Sequence, residues 1–162
     1  MATHRRKTHT KRRFGVVAAL AAGLMVLSGS LLGPPVDAAI TLTPKQKILT
    51  LKNVDQVATC KFQANRVTPN FVRYTLTASA RPSGIDGYRA NVWNEVKCYV
   101  LPAGDTDINN AMISFTASKN GANMLPENTK GAVPYFGAYT LCGSAEVKKK
   151  NGDSTFSPLE CK

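Results

Sequence analysis

Residues 56–67 read QVATCKFQANRV and residues 71–80 read FVRYTLTASA, and in both stretches apolar and polar side chains alternate. Successive side chains of a β-strand point to opposite sides, so this period of two predicts strands that are buried on one side. The pattern recurs at residues 88–101 and 111–118, and residues that favour turns, such as Pro69-Asn70, separate the runs. The residues that we expect on the buried side are Ala58, Cys60, Phe62, Ala64, Val72, Tyr74, Leu76, Ala78, Val92, Val96, Cys98, Val100, Ile113 and Phe115.

The number and spacing of these runs predict the fold class. A further strand near residues 47–51 and a hairpin in the last twenty residues bring the count to seven or eight strands. Many short alternating strands separated by turns are typical of an all-β fold, and we predict a small antiparallel β-sandwich, immunoglobulin-like in the broad sense. A small closed β-barrel is the alternative.

The first forty residues carry a different signal. Residues 3–13, THRRKTHTKRR, include six Lys or Arg, and the stretch from Phe14 to Gly33 carries no charge. A basic segment, an apolar segment and a small-residue cleavage site make up a secretory signal peptide, so we predict that residues 1–38 are removed and that residues 39–162 form a single secreted domain. An uncleaved membrane anchor is the alternative, because ~20 apolar residues can span a bilayer. This beginning is similar to that of small exported proteins of Gram-positive bacteria.

Histidine is confined to the predicted signal, which contains both histidines of the chain, His4 and His9. Histidine is the usual general base near neutral pH and a common zinc ligand, so its absence from the predicted secreted domain excludes Ser-His-Asp and Cys-His catalysis there. Nine carboxylates remain, and a carboxylate-dependent hydrolase is therefore the enzymatic alternative. We predict that the protein is not an enzyme and that it needs no cofactor.

One acidic run has the beginning of a calcium-binding loop. Asp105, Asp107 and Asn109 follow the Asp-x-Asp-x-Asn spacing. An EF-hand would continue with Gly and Glu, but Asn110 and Thr116 occupy those positions. The run therefore predicts a polar turn, with a loose Ca²⁺ site as the alternative, and we predict no metal centre.

The four cysteines of the chain, Cys60, Cys98, Cys142 and Cys161, predict two disulfides, because an even number of cysteines in an exported chain usually pairs. Asn151-Gly152 has the composition of a two-residue hairpin turn. Such a turn places Cys142 opposite Cys161, so we predict that pair and, by elimination, Cys60–Cys98. A Cys60–Cys142 bridge is the main alternative.

That two-residue turn also fixes the neighbours of the cysteines along the hairpin. With Lys150 opposite Asp153, Val147 is expected opposite Phe156.

The outward residues of the alternating runs predict a binding surface. They include Lys61, Arg73, Trp93, Lys97 and Tyr99. If the strands that carry them are neighbours, these residues form a basic face with two aromatic rings, which suits an anionic glycopolymer. The alternative is an ordinary solvated surface.

The segment 120–135, NGANMLPENTKGAVPY, lacks clear periodicity and is predicted to be a long loop. Long loops on rigid sandwiches often carry binding residues. Within this one, Met124, Leu125 and Pro126 could be presented to a protease, and a plain connection between the two sheets is the alternative.

These observations predict a secreted, non-catalytic binding protein. The predicted secreted domain has a formal net charge of +6, compared with +11 for the whole chain. We expect its partner to be an acidic cell-envelope or extracellular polymer or an extracellular protein, and we expect a monomer with no nucleic acid and, after signal cleavage, no membrane partner. A secreted protease or hydrolase inhibitor is the first alternative, and the carboxylate-dependent hydrolase is the second.

Overall fold

The computed structural model describes residues 42–162, in which eight strands form two antiparallel four-stranded sheets. The first sheet has the order β1-β2-β3-β6 and the second has the order β5-β4-β7-β8. The strands are β1 (Gln46–Lys52), β2 (Gln56–Val67), β3 (Phe71–Pro82), β4 (Asn91–Pro102), β5 (Ile113–Asn120), β6 (Met124–Pro134), β7 (Tyr139–Lys149) and β8 (Ser154–Cys161). The predicted signal peptide and its cleavage site lie outside the described residues.

The two sheets pack face to face, and the predicted β-sandwich is confirmed. Each sheet keeps two edge strands, so the sandwich is not closed into a barrel. Alternation places the core as expected, since Phe62 of β2, Leu76 of β3 and Val96 of β4 have no exposed surface. Of the other predicted inward residues, Tyr74 and Phe115 are partly buried against the core. Val92 is not part of the core, and it lies at a bulge between Asn91 and Trp93. No helix within residues 42–162 has the length and apolar character to cross a membrane.

Two disulfides join the cysteines in the predicted pairs. Cys60 on β2 and Cys98 on β4 link the two sheets through the core, where both side chains are fully buried. Cys142 and Cys161 link the neighbouring strands β7 and β8. Closing loops of 38 and 19 residues stabilises the fold by about 4 and 3 kcal/mol in the chain-entropy description.

The hairpin between β7 and β8 forms the predicted cysteine pair, but its turn differs from the predicted two-residue turn. Its loop has three residues rather than two, because the amide of Lys149 donates to the carbonyl of Asp153 at 2.8 Å. Gly152 takes a φ of +92°, as the last residue of such a loop requires.

The longer loop shifts the register of the hairpin by one residue. Thr155 therefore lies opposite Val147, and Phe156 lies opposite Glu146, so the predicted Val147–Phe156 pair is wrong. A bulge between Ser157 and Glu160 restores the register at the cysteines.

The segment 120–135 is mostly the edge strand β6, so the predicted loop is wrong. Met124 is 1% exposed and lies opposite Ala80 of β3. Pro126 and Pro134 are tolerated because an edge strand has one side without backbone partners. Leu125 is exposed, but Met124-Leu125-Pro126 does not form the projecting loop that an inhibitor would present to a protease.

A six-residue helix, α1 (Ile85–Ala90), makes the crossing from β3 to β4. It packs on the turn between β1 and β2 through Gly87, where a Cβ atom would lie 2.6 Å from the carbonyl oxygen of Asp55. The same carbonyl accepts hydrogen bonds from the amide of Ser83 at 3.0 Å and from the side chain of Asn91 at 2.9 Å. The turn and the helix are therefore held together as one unit at this end of the sandwich.

Candidate binding surface

The five residues predicted to form one basic, aromatic face lie on two different sheets. Lys61 and Arg73 are on β2 and β3 of the first sheet. Trp93, Lys97 and Tyr99 are on β4 of the second sheet. Because the two sheets pack through their inner sides, their outer sides point in opposite directions. The condition that these strands are neighbours is not met, and the five residues do not share a surface.

The outer side of the first sheet carries six cations, which we call the basic face. They alternate with buried residues along their strands or lie opposite an outward residue of a neighbouring strand. Lys61 stands between buried Cys60 and Phe62, and Arg66 lies opposite Arg73. The six residues are Lys52, Lys61, Arg66, Arg73, Arg81 and Lys130.

Acidic side chains are missing from the basic face. Glu127 is the one acidic residue in the four strands of this sheet, and it lies opposite buried Ala78, on the inner side. Two ion pairs occur among residues 42–162, Lys97–Glu95 and Lys149–Asp55, and neither uses a cation of the basic face. The positive charge of this surface is therefore not neutralised by neighbouring carboxylates.

The cations are spread along the strands rather than gathered at one point. Arg73 and Arg81 stand at opposite ends of β3, eight residues apart, which corresponds to roughly 26 Å of strand. Lys61 and Lys130 lie between these ends, on the strands to either side of β3. The result is a positively charged track that runs the length of the sheet.

Arg66 and Arg73 are held directly opposite each other in the β2–β3 register. Like charges in this position destabilise a sheet. A bulge between Ala64 and Arg66 brings about this pairing, because it turns Arg66 to the outer side. Arg73 also lies over the ring of Phe71, 5.7 Å from its centre. A local arrangement that opposes folding is expected at a functional site.

Neutral hydrogen-bonding side chains fill the space between the cations. Cross-strand partners include Thr50 with Thr59 and Gln63 with Thr75. The amide of Asn65 donates to the hydroxyl of Thr75 at 2.8 Å. Hydroxyl and amide groups between cations give a surface that can bind both anionic groups and sugar hydroxyls.

A shallow depression lies toward the Arg73 end of the track. The residues that line it include Asn65, Arg73, Lys130 and Ala132. A Cβ atom at position 131 would come within 2.7 Å of the Tyr74 hydroxyl. Gly131 therefore allows the Tyr74 ring to lie close to β6 on the inner side of the sheet, against Phe62.

The outer side of the second sheet is balanced in charge. Lys97 and Glu95 form an ion pair at 3.0 Å, and the hydrogen bond that Lys97 donates to Glu95 raises the pKa of Lys97 above its ordinary value. Glu146 lies opposite Glu95, and Lys148 approaches the ring of Trp93 to 6.0 Å. Two acids and two bases share this surface, so it does not favour an anionic ligand.

The Asp105–Asn109 run is a capped turn in the connection between β4 and β5. Asp107 accepts a hydrogen bond from the amide of Asn109 at 3.0 Å and so caps a short 3-10 helix. Asp105 accepts hydrogen bonds from the amide of Asp107 and the side chain of Asn110, which lower the pKa of its carboxyl. Among residues 42–162 no three His, Cys, Asp or Glu side chains are placed to hold a metal ion.

Sequence reasoning missed four of the six residues of the basic face. Lys52 and Arg81 directly follow buried Leu51 and Ala80 near the ends of their strands, so alternation predicts that they face outward. Lys130 could not be found by alternation, because the sequence predicts a loop where β6 forms. Arg66 was hidden because the bulge reverses the alternation that the sequence suggests.

No known protein-family model matches the chain, and no curated protein has significant sequence similarity to it. The interpretation of the basic face therefore rests on the chemistry and positions of its own residues.

Proposed function

We propose that the protein is an exported, non-catalytic binding protein that holds an extended anionic glycopolymer along the basic face. The observation that carries this proposal is the presence of six cations and no carboxylate on the outer side of one sheet. A surface with one sign of charge attracts ligands of the opposite sign, and the attraction weakens as salt screens it.

The shape of the basic face favours a polymer over a small molecule. Small ligands are usually bound in concave pockets that bury most of their surface. The track is open and has its cations distributed over roughly 26 Å, which is long enough for several sugar units. An extended chain with repeated phosphate, sulfate or carboxylate groups can contact the cations one after another.

The hydroxyl and amide groups between the cations support a sugar-containing partner. Thr50, Thr59 and Thr77 project between charged positions, and such groups can exchange hydrogen bonds with sugar hydroxyls. The two disulfides support the proposed location, since disulfides persist in oxidising compartments outside the cytoplasm.

Binding to polymers of known charge tests the proposal. The probes are dextran sulfate and polygalacturonate, with neutral dextran as the uncharged reference. We expect binding to the two anionic polymers, no binding to neutral dextran, and release as the salt concentration rises. The Lys61→Glu, Arg73→Glu double variant should weaken the binding by roughly tenfold or more, because it replaces two cations of the track by repelling charges.

A matched variant distinguishes the effect of the basic face on binding from the effect of net charge. Lys119→Glu with Lys150→Glu makes the same change in net charge at exposed positions away from the outer side of the first sheet. This control should retain most of the affinity. Equal losses in the two double variants would show that net charge alone drives the binding, and the proposed site would be wrong.

A further inference from the structure

The apolar side chains that are most exposed in the described chain gather at one end of the sandwich. Val54 is 82% exposed, Ile85 is 71% exposed and Tyr88 is 65% exposed. Val54 lies in the β1–β2 turn, and the other two lie on α1, which packs against that turn. We call these three residues the apolar tip. Leu125 and Phe156, near the same end of β6 and β8, are also more than 60% exposed.

The tip is held in a fixed position by hydrogen bonds rather than left as a loose loop. The Ser83 hydroxyl donates to the carbonyl of Val54, and the Ser83 amide donates to the carbonyl of Asp55. The side chain of Asp55 accepts a hydrogen bond from Thr155 at 2.6 Å. Because Gly87 faces the protein, Ile85 and Tyr88, three residues apart on one side of the helix, face solvent.

The same end of the molecule is positively charged. Its strand ends, turns and helix carry seven cations and three acids, and one of those acids, Asp55, is paired with Lys149 at 2.9 Å. The cations are Lys52, Arg81, Arg89, Lys119, Lys148, Lys149 and Lys150, and the acids are Asp55, Asp86 and Asp153. The opposite end is less positive, because it carries five cations and three acids. Its cations are Lys45, Lys47, Arg66, Arg73 and Lys162, and its acids are Asp105, Asp107 and Glu160.

We propose that this end of the sandwich docks on an anionic lipid bilayer, with Val54, Ile85 and Tyr88 entering the interfacial layer. Exposed aliphatic and tyrosine side chains surrounded by lysine and arginine are suited to that boundary, where rings sit at the headgroups and cations meet lipid phosphates. A patch of three side chains that project from a turn and a short helix is smaller than a standard protein interface requires.

This inference goes beyond the proposed polymer binding. Its apolar tip lies outside the basic face, although Lys52 and Arg81 belong both to that face and to the cations around the tip. The inference also departs from the sequence-based expectation that the processed chain has no membrane partner. In a chain docked in this way, the strands of the basic face would run away from the membrane surface. A polymer near the membrane could then lie along these strands.

Tryptophan fluorescence with brominated lipids tests the position of the tip. Trp93 is the only tryptophan in the chain, so the Trp93→Phe variant has no tryptophan fluorescence of its own. In that background we compare Tyr88→Trp with Ile108→Trp, whose residue lies in the β4–β5 connection at the opposite end. The probes are vesicles of phosphatidylglycerol or of phosphatidylcholine with brominated acyl chains, added to the full chain as it is exported.

We expect strong quenching and a blue shift for tryptophan at position 88 with phosphatidylglycerol, and little of either for tryptophan at position 108. Phosphatidylcholine should give at least roughly tenfold weaker binding at low salt, because the seven cations lose their partners. Equal quenching at positions 88 and 108, or equal binding to the two lipids, would overturn the proposal. These readouts compare positions in one chain, so they remain valid if the N-terminal segment is retained.

A second pair of variants separates the tip from the cations. Val54→Ser with Ile85→Ser leaves every charge in place and should lower vesicle binding by roughly tenfold or more. Ile108→Ser with Leu159→Ser removes two exposed apolar side chains at the opposite end and should leave binding unchanged. Dextran sulfate binding should survive in both pairs, which distinguishes failure of this proposal from failure of polymer binding. If the tip instead mediates a dimer that Val54→Ser with Ile85→Ser abolishes, as sedimentation velocity would show, the proposal is wrong.

Discussion

Replacing Gly143 by alanine should destabilise the fold strongly, although the change adds a single methyl group. Gly143 lies on the inner side of β7, against the Cys60–Cys98 bridge. A Cβ atom there would lie 2.8 Å from the Sγ atom of Cys60 and 3.1 Å from the carbonyl oxygen of Lys97. Carbon and sulfur normally approach no closer than about 3.5–4.0 Å, so the neighbours must move by roughly 0.7 Å or more.

The expected loss of stability is large because Cys60 and Lys97 cannot move easily. The Sγ atom of Cys60 is bonded to Cys98 on the facing sheet, and Lys97 is fixed in the β4–β7 ladder. Overpacking a rigid core costs about 1–3 kcal/mol, and we expect about 2 kcal/mol for Gly143→Ala. In a domain of this size that corresponds to a fall in Tm of roughly 6–12 °C. The sign is itself informative, because Gly→Ala in an unstrained site stabilises by about 0.4–1 kcal/mol.

The assay is thermal and urea unfolding followed by circular dichroism, with both disulfides intact. Gly137→Ala is the matched control, since a Cβ atom at position 137 meets no atom within 4 Å, and it should be neutral or slightly stabilising. A second measurement repeats Gly143→Ala in a Cys60→Ala, Cys98→Ala background. Without the sulfur atom, the destabilisation should fall by about 1 kcal/mol or more. An unchanged loss in that background, or a loss below about 0.5 kcal/mol in the parent, would refute the proposed contact.

Three further results are expected. Removing Cys60–Cys98 by double Ser substitution should lower the free energy of unfolding by about 4 kcal/mol, and removing Cys142–Cys161 should lower it by about 3 kcal/mol, as urea titrations can show; a larger loss for the second bridge would contradict the loop-length argument. Burial raises the pKa of Asp55, but the hydrogen bond from Thr155 and the contact with Lys149 outweigh it, so the pKa lies below its ordinary value. The stability from the Asp55 carboxylate is therefore complete above the unfolded pKa of about 3.9 and is lost as the pH falls through the lower folded pKa. The stability gap between the parent and Asp55→Asn should be constant from pH 5 to 7 and should narrow below pH 4, and a gap that widens on acidification would contradict this sign. Burial also raises the pKa of Tyr139 to about 12. In an ultraviolet titration of the folded protein, one tyrosine should therefore ionise at a higher pH than an ordinary tyrosine, and Tyr139→Phe should remove that step.

Alternation was a sufficient signal for the strands of the interior. In β2, β3 and β4 one side of each strand packs against the facing sheet, so polar and apolar residues must alternate there. It failed for β6 because an edge strand has few buried positions. Met124 is buried at its beginning, while most of the residues that follow are exposed or partly exposed, and nothing in that pattern distinguishes it from a loop.

The cysteine pairing was predicted correctly although its premise was wrong. The two-residue turn at Asn151-Gly152 is really a three-residue loop, which displaces the register by one. The bulge before Glu160 displaces it back, so Cys142 and Cys161 still meet. A tight turn can be read from local composition, but a bulge depends on packing across the sheet, and its position cannot be read from the same residues.

The binding surface could be predicted only in part for a topological reason. The outward positions of Lys61, Arg73 and Lys97 follow from alternation, but alternation does not say which strands share a sheet. The chain crosses between the sheets after β3, which places Lys97 on the opposite outer side from Lys61 and Arg73. Of the four other cations of the basic face, Lys52 and Arg81 follow from alternation in the same way. Lys130 depends on β6 being a strand, and Arg66 depends on the bulge.

In β2 and β3, alternation places residues constrained by core packing next to residues that packing does not constrain. The inward residues, such as Cys60, Phe62 and Leu76, touch the facing sheet and can change only together with their neighbours. The outward residues meet solvent, so substitutions there leave the core as it is. A lineage could therefore exchange the ligand preference of this sheet, one outward residue at a time, without having to find a new way of folding.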